Sequence, residues 1–308
     1  MAKHFLSLLD FTPDDVSRCL ELASSLGADR RARRISAHGS ALAGRQIGLL
    51  FEKPSLRTRV TFTIGVGELG GSIVDIPSDV MHADREPLHD VSRNLERWID
   101  AVVIRTFAQA RLSIFTESAP ALRVVNALSD EEHPCQALAD VLTLRERWGT
   151  IAGRTIAFVG DGNNVATSLA HACLMLGAHV RVATPKGYAL PVEVASAAER
   201  IAVGGAELKQ FIDPREAVKG ADAVYTDVWT SMGQEVEIAE RTKIFSRYQV
   251  NEALMARAKP DAIFMHCLPA HRGQEVTDDV IESSASVVFD QAENRLHAQK
   301  AMLVTLFS

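Results

Sequence analysis

Short apolar runs alternate with helix-spaced patterns along nearly the whole chain, and that alternation constrains the fold more than any other feature. Gln46–Phe51, Ser72–Ile76, 101–104 and 123–125 form one series, with Leu88, Val91, Leu95 and Trp98 repeating at helical spacing between two of them. A second series follows at Thr155–Val159, His179–Ala183, 207–211, 223–225, 263–265 and 287–289. Strands that are apolar throughout and joined by helices belong to parallel sheets covered on both faces. The expected fold class is therefore α/β, with two domains, each a parallel sheet flanked by helices, and an interdomain cleft. The length of 308 residues, against about 100–200 for one domain, agrees with that division. Gly149 and Gly153 place the boundary after residue 148, giving domains 1–148 and 149–308. Thr12–Pro13–Asp14–Asp15 supplies an N-cap, a first-turn proline and acidic residues, so a helix precedes the first strand and is expected to stop at Gly27.

A formal charge of −6 argues against nucleic acid or an anionic membrane as partner. Cys19, Cys135, Cys173 and Cys267 are scattered without zinc-type spacing, which suits a reducing compartment and no structural metal. The N-terminal residues 1–11 are too short and too interrupted for a secretory signal, and the most apolar stretch, 166–178, falls short of the roughly 20 residues that span a bilayer. A cytoplasmic protein is expected.

In open α/β sheets ligands gather beyond the carboxyl ends of the strands. After the first run come Pro54–Ser55–Leu56–Arg57–Thr58–Arg59. A helix opening there would offer N–H groups, two hydroxyls and a guanidinium fork to a small anion such as phosphate. Arg105–Thr106, His133–Pro134–Cys135–Gln136, Gly160–Asp161–Gly162–Asn163–Asn164, Asp227 with Ser231–Met232–Gly233, and His266–Cys267–Leu268–Pro269 follow later runs. Each has a bland reading of its own: Ser55 and His133 as caps, Arg105 as a surface charge, Asp227 as a turn former, Cys267 as a small buried hydrophobe. Six donor-bearing or acidic strand ends together favour a small-molecule site.

The glycines at 160 and 162 invite a dinucleotide reading, which would make the chain an oxidoreductase. The next strand, however, ends in Ala183–Thr184–Pro185–Lys186, without the acidic residue that a nicotinamide ribose requires.

With its motifs in this order, the chain resembles the aspartate/ornithine carbamoyltransferase family through nearly all of its length, and the ornithine-specific branch most. The resemblance implies that the first domain binds carbamoyl phosphate and the second the amino acid, with the terminal helix from about 291 packing back on the first. It further implies a cytoplasmic homotrimer, without cofactor or metal, that transfers a carbamoyl group to the δ-amine of L-ornithine to give L-citrulline and phosphate, in arginine biosynthesis or in the recovery of carbamoyl phosphate. Carried over residue by residue, Ser55, the Leu56 backbone, Arg57 and Thr58 hold the phosphate. Thr58, Arg105, His133 and Gln136 meet the carbamoyl group, and Cys267, Leu268 and Arg295 complete that pocket. Asn164, Asp227, Ser231 and Met232 hold the amino acid, with Ser231–Met232–Gly233 as a lid. Arg57, Arg105, His133, Asp227 and Cys267 are the expected catalytic set.

Two departures stand out. Leu56 replaces the family's usual threonine and removes one hydroxyl while keeping its N–H. Met81 stands where the family often has a glutamine that reaches a neighbouring subunit's carbamoyl phosphate, a hydrogen bond methionine replaces poorly. The alternatives are therefore a binding paralogue without turnover, or a transferase for acetylornithine or putrescine.

Overall fold

Gln46–Phe51 (β1) buries all but its first residue and Ala101–Arg105 (β3) buries all five, as strands covered on both faces must. The computed structural model describes residues 3–82, 86–230, 233 and 235–308. It separates into two compact units, Met1–Leu142 with Glu293–Ser308, and Thr143–Ala292.

The first unit holds α1 (Pro13–Arg31), β1, α2 (Leu56–Glu68), β2 (Ser72–Ile76), α3 (Leu88–Trp98), β3, α4 (Ala110–Ser118), β4 (Arg123–Leu128) and most of α5 (Pro134–Trp148). Its sheet is parallel in the order β2-β1-β3-β4. The second unit holds β5 (Thr155–Val159), α6 (Asn164–Met175), β6 (His179–Ala183), α7 (Val192–Ile201), β7 (Leu208–Phe211) and α8 (Pro214–Val218). It continues with β8 (Ala223–Thr226), α9 (Ile238–Phe245), α10 (Glu252–Met255), β9 (Ile263–His266) and α11 (Asp278–Ile281), then the start of α12 (Val288–Phe307). Its five strands run parallel in the order β7-β6-β5-β8-β9. Each order reverses once, between β1 and β3 and between β5 and β8. Adjacent connections leave such a pair in opposite directions and open a crevice at the carboxyl edge.

Two expectations about elements fail. The first helix continues past Gly27 to Arg31, because Gly27 is a close-approach position: a Cβ there would meet the His297 ring of α12 at 3.0 Å. Residues 287–289 are not a strand; Ser286 makes one isolated bridge with Phe264, and α12 starts at Val288. A three-residue apolar run does not distinguish a strand from the buried first turn of a helix.

Met81 is 1% exposed and packs in the apolar cluster of Ile76, Leu88, Val91 and Leu95. The position where the family resemblance implies an inter-subunit hydrogen bond is a core position here. Neighbouring residues 83–85 lie outside the described residues.

Candidate functional site

At the β1/β3 switch point of the first unit, Ser55 adopts extended backbone and caps α2, its Oγ accepting from the Thr58 N–H at 3.3 Å. The same hydroxyl donates to Thr58 Oγ1 at 2.9 Å, and Arg295 of α12 donates to Thr58 Oγ1 at 2.8 Å. Both acceptor positions of the Thr58 hydroxyl are thereby filled, which leaves its hydrogen to be donated outward. Arg295 also donates to Gln136 Oε1 at 2.8 Å, while Gln136 Nε2 donates to Asp140 at 2.8 Å. Thr58, Gln136, Asp140 and Arg295 are all buried, so Asp140 provides a counter-charge for the guanidinium through a single amide.

Arg105 ends β3 at a register shift relative to β4 and is buried. His133 precedes α5, and its carbonyl accepts from the Gln136 and Ala137 N–H groups. Burial, then the charges of Arg295, Arg105 and Arg57, hold its imidazole well below the ordinary histidine range. His133 is therefore neutral at physiological pH, able to donate a hydrogen bond without adding charge. Arg57 lies in the first turn of α2, half-buried. Three guanidiniums, a neutral imidazole, a directed hydroxyl and a helix N-terminus make this half-site suited to a small phosphorylated, carbonyl-bearing ligand.

At the β5/β8 switch point of the second unit, Asn163 caps α6, its Oδ1 accepting from the Val165 and Ala166 N–H groups at 3.0 and 3.1 Å. Its Nδ2 donates to Asp227 Oδ2 at 2.8 Å, and the Cys267 thiol donates to Asp227 Oδ1 at 2.9 Å. The glycines before it are explained without a nucleotide. Gly160 has φ +145°, and a Cβ on Gly162 would lie 2.5 Å from the Tyr188 carbonyl oxygen. Leu268 holds a left-handed φ of 56°, which costs a non-glycine residue about 1–3 kcal/mol. His266 supports that turn. Its Nδ1 accepts from the Leu268 N–H at 2.8 Å, so Nε2 carries the proton and faces Glu275 at 3.3 Å, both residues being fully buried.

One potential ligand atom from each of Asp227, His266 and Cys267 falls within 4.8 Å of the others. Three ligands with an open position would be the pattern of a catalytic rather than a structural metal site. Both His266 ring nitrogens are already engaged by Leu268 and Glu275, so this donor set is arranged for hydrogen bonding.

Of the residues expected from the sequence, Ser55, Leu56, Arg57, Thr58, Arg105, His133, Gln136 and Arg295 lie in the first unit, and Asn164, Asp227, Cys267 and Leu268 in the second. Ser231 and Met232 lie outside the described residues. Asn163 was noted only as part of the segment after β5, with Asn164 given the role, and Asp140 was missed. Asn163 could have been found as an N-cap that also follows a switch-point strand, whereas Asp140 sits one helical turn beyond Gln136 with no local signal of its role.

Residues 3–146 match the family model described as aspartate/ornithine carbamoyltransferase, carbamoyl-P binding domain, and residues 152–306 match the Asp/Orn binding domain of the same family. An ornithine carbamoyltransferase of Trichormus variabilis is 48% identical over 307 residues, spanning 99% of this chain and 97% of the relative. The solved ornithine carbamoyltransferase of Pyrococcus furiosus superposes with a TM-score of 0.93 at 46% identity, covering 98% of this chain and 96% of that one. That of Thermus thermophilus superposes at 0.88 with 41% identity, covering 100% of both chains.

Proposed function

The chain belongs to the aspartate/ornithine carbamoyltransferase family, and from that premise we infer that it transfers the carbamoyl group of carbamoyl phosphate to the δ-amine of L-ornithine, giving L-citrulline and phosphate. The observation that carries the choice of acceptor is the Asp227–Cys267 hydrogen bond in the half matching the Asp/Orn binding domain. A carboxylate flanked by neutral donors suits a substrate bearing two amines, whereas a dicarboxylate acceptor calls for cations at that place.

In this reading residues 1–148 serve carbamoyl phosphate and residues 149–308 serve ornithine. The first turn of α2 with Ser55, the Leu56 N–H, Arg57 and Thr58 holds the phosphate. Thr58, Arg105 and neutral His133 donate to the carbonyl oxygen as it gains charge in the tetrahedral transition state. Arg295, held in turn by Gln136, orients Thr58 in the same half-site. Asn164 and Asp227, with Ser231 and Met232, hold the amino acid, and Asp227 faces its α-ammonium. The attacking amine has an ordinary pKa near about 10.4, so only on the order of one molecule in a thousand is a nucleophile at neutral pH. Asp227 and Cys267 position that neutral amine. The new C–N bond forms as the bond from carbon to the phosphate oxygen breaks, and the departing phosphate takes the surplus amine proton, with no covalent enzyme intermediate.

The assembly in this reading is a homotrimer working in the cytoplasm in arginine biosynthesis. Leu56, Val60 and Ile64 recur every four residues along α2 and are all exposed on a single chain, a row suited to burial against a neighbouring subunit. Among the described residues no helix is long and apolar enough to cross a membrane.

Ureido-product formation from carbamoyl phosphate with ornithine, acetylornithine, putrescine and aspartate in parallel tests the function. Turnover with ornithine alone is expected. Turnover favouring another acceptor, or none from folded protein, would overturn it.

A further inference from the structure

The guanidinium of Arg241, on α9, reaches both chain segments that leave the β5/β8 switch point. Its Nη2 is ion-paired with Asp161, just beyond β5, and its Nε donates to the Trp229 carbonyl at 2.6 Å, just beyond β8. Those segments carry Asn163 and Asp227, each two residues from the Arg241 contact and hydrogen-bonded to one another at 2.8 Å. The Arg241 side chain is 4% exposed and that of Asp161 14%. The guanidinium packs 4.9 Å from the Tyr188 ring centre and 5.2 Å from that of Phe245, with Glu237 at 3.4 Å on its outer side. Tyr188 is also the residue whose carbonyl requires glycine at 162.

We propose that Arg241 is a positioning residue for the amino-acid half-site, tying the exits of β5 and β8 together and cancelling the charge of Asp161, so that Asp227 is the carboxylate presented to a cationic substrate. This rests on the ornithine reading of that half-site. Burial raises the proton affinity of Asp161, the ion pair with Arg241 opposes that rise, and the nearby carboxylate of Asp227 adds to it by a smaller amount. Among the described residues Asp227 is hydrogen-bonded by Asn163 and Cys267, both neutral donors, so its charge is retained for the ligand. A planar fork can satisfy a carboxylate and a carbonyl at once, which an ammonium does less well.

Steady-state kinetics with ornithine and carbamoyl phosphate varied separately, on wild type, R241K, R241Q, D161N and the double variant D161N/R241Q, test this. For R241Q the KM for ornithine should rise about tenfold or more, the loss expected when one partner of a buried pair is removed, with the KM for carbamoyl phosphate nearly unchanged. The double variant should recover much of that loss because no buried charge is left unmatched, and R241K should fall between wild type and R241Q. An ornithine KM in R241Q equal to wild type, an equal rise in both KM values, or a double variant no better than R241Q would each overturn the proposal. R241K and D161N keep the test valid if R241Q does not fold. Failure of wild type to use ornithine would instead overturn the function itself, and the inference with it.

Discussion

The Cys267 thiol donates to Asp227, 2.9 Å from Oδ1. The sulfur is thereby a donor to the carboxylate, and the carboxylate is the charged member of the pair. Asp227→Asn should lower kcat/KM for ornithine by about 2–5 kcal/mol, or roughly 30-fold and upward, because a charge partner for the ammonium is lost. Cys267→Ala should cost only about 0.5–1.5 kcal/mol, the worth of one neutral hydrogen bond. Equal losses, or a carbamoylated Cys267 trapped by mass spectrometry, would mean that the thiol takes part covalently.

Arg295 holds Thr58 and Gln136 at 2.8 Å each from a buried position on α12. Arg295→Met should release the Thr58 hydroxyl from its outward aim and reduce kcat by about 10²-fold, the usual cost of one misplaced donor to a developing oxyanion. The KM for ornithine should hardly change, since the residues assigned to ornithine are elsewhere. Initial rates against each substrate would separate the two effects.

His133 stays neutral in the folded protein while the unfolded chain takes up its proton below about pH 6.5. The sign follows from proton counts: the unfolded state binds more, so this stabilising contribution is complete above the ordinary pKa and is lost as pH falls below it. Its slope approaches about 1.4 kcal/mol per pH unit in that acid window. Denaturant midpoints at pH 7.5 and 5.5 should therefore differ less in His133→Asn than in wild type.

Glycine substitutions should act in opposite directions. Gly162→Ala forces a Cβ to within 2.5 Å of the Tyr188 carbonyl oxygen and 2.7 Å of the Leu190 nitrogen, so the backbone must move. Thermal melting should show a loss of several kcal/mol, above the roughly 0.5–3 kcal/mol of most substitutions, and weaker ornithine binding. Gly67→Ala in α2 meets nothing within 4 Å and should stabilise by about 0.5–1 kcal/mol.

Reading the strands was straightforward because buried parallel strands are continuous apolar words; nine of the ten expected are present. The tenth, 287–289, failed because Val287 and Val288 are buried at the junction of a bridge and a helix, where apolarity has no period to read. Met81 shows a related limit of local pattern: motif register located it in a loop, and only the packing of Ile76, Leu88 and Val91 with it reveals a core side chain. The site was partly legible. Ser55, Asp227 and Cys267 follow strands and Arg105 ends one, and strand ends can be counted from the sequence alone.

What the sequence by itself determined is the set of chemical groups and the ends of the strands that bear them, since both depend on residue type and local period. What only the tertiary structure decided is which groups meet. Thr58 meets Arg295, 237 positions away, and Asp161 meets Arg241, 80 away. The order of strands in each sheet, and the reversal between β1 and β3 and between β5 and β8, brings such distant residues together. That order comes from burying helix faces on both sides of a sheet, a global requirement that no local segment encodes.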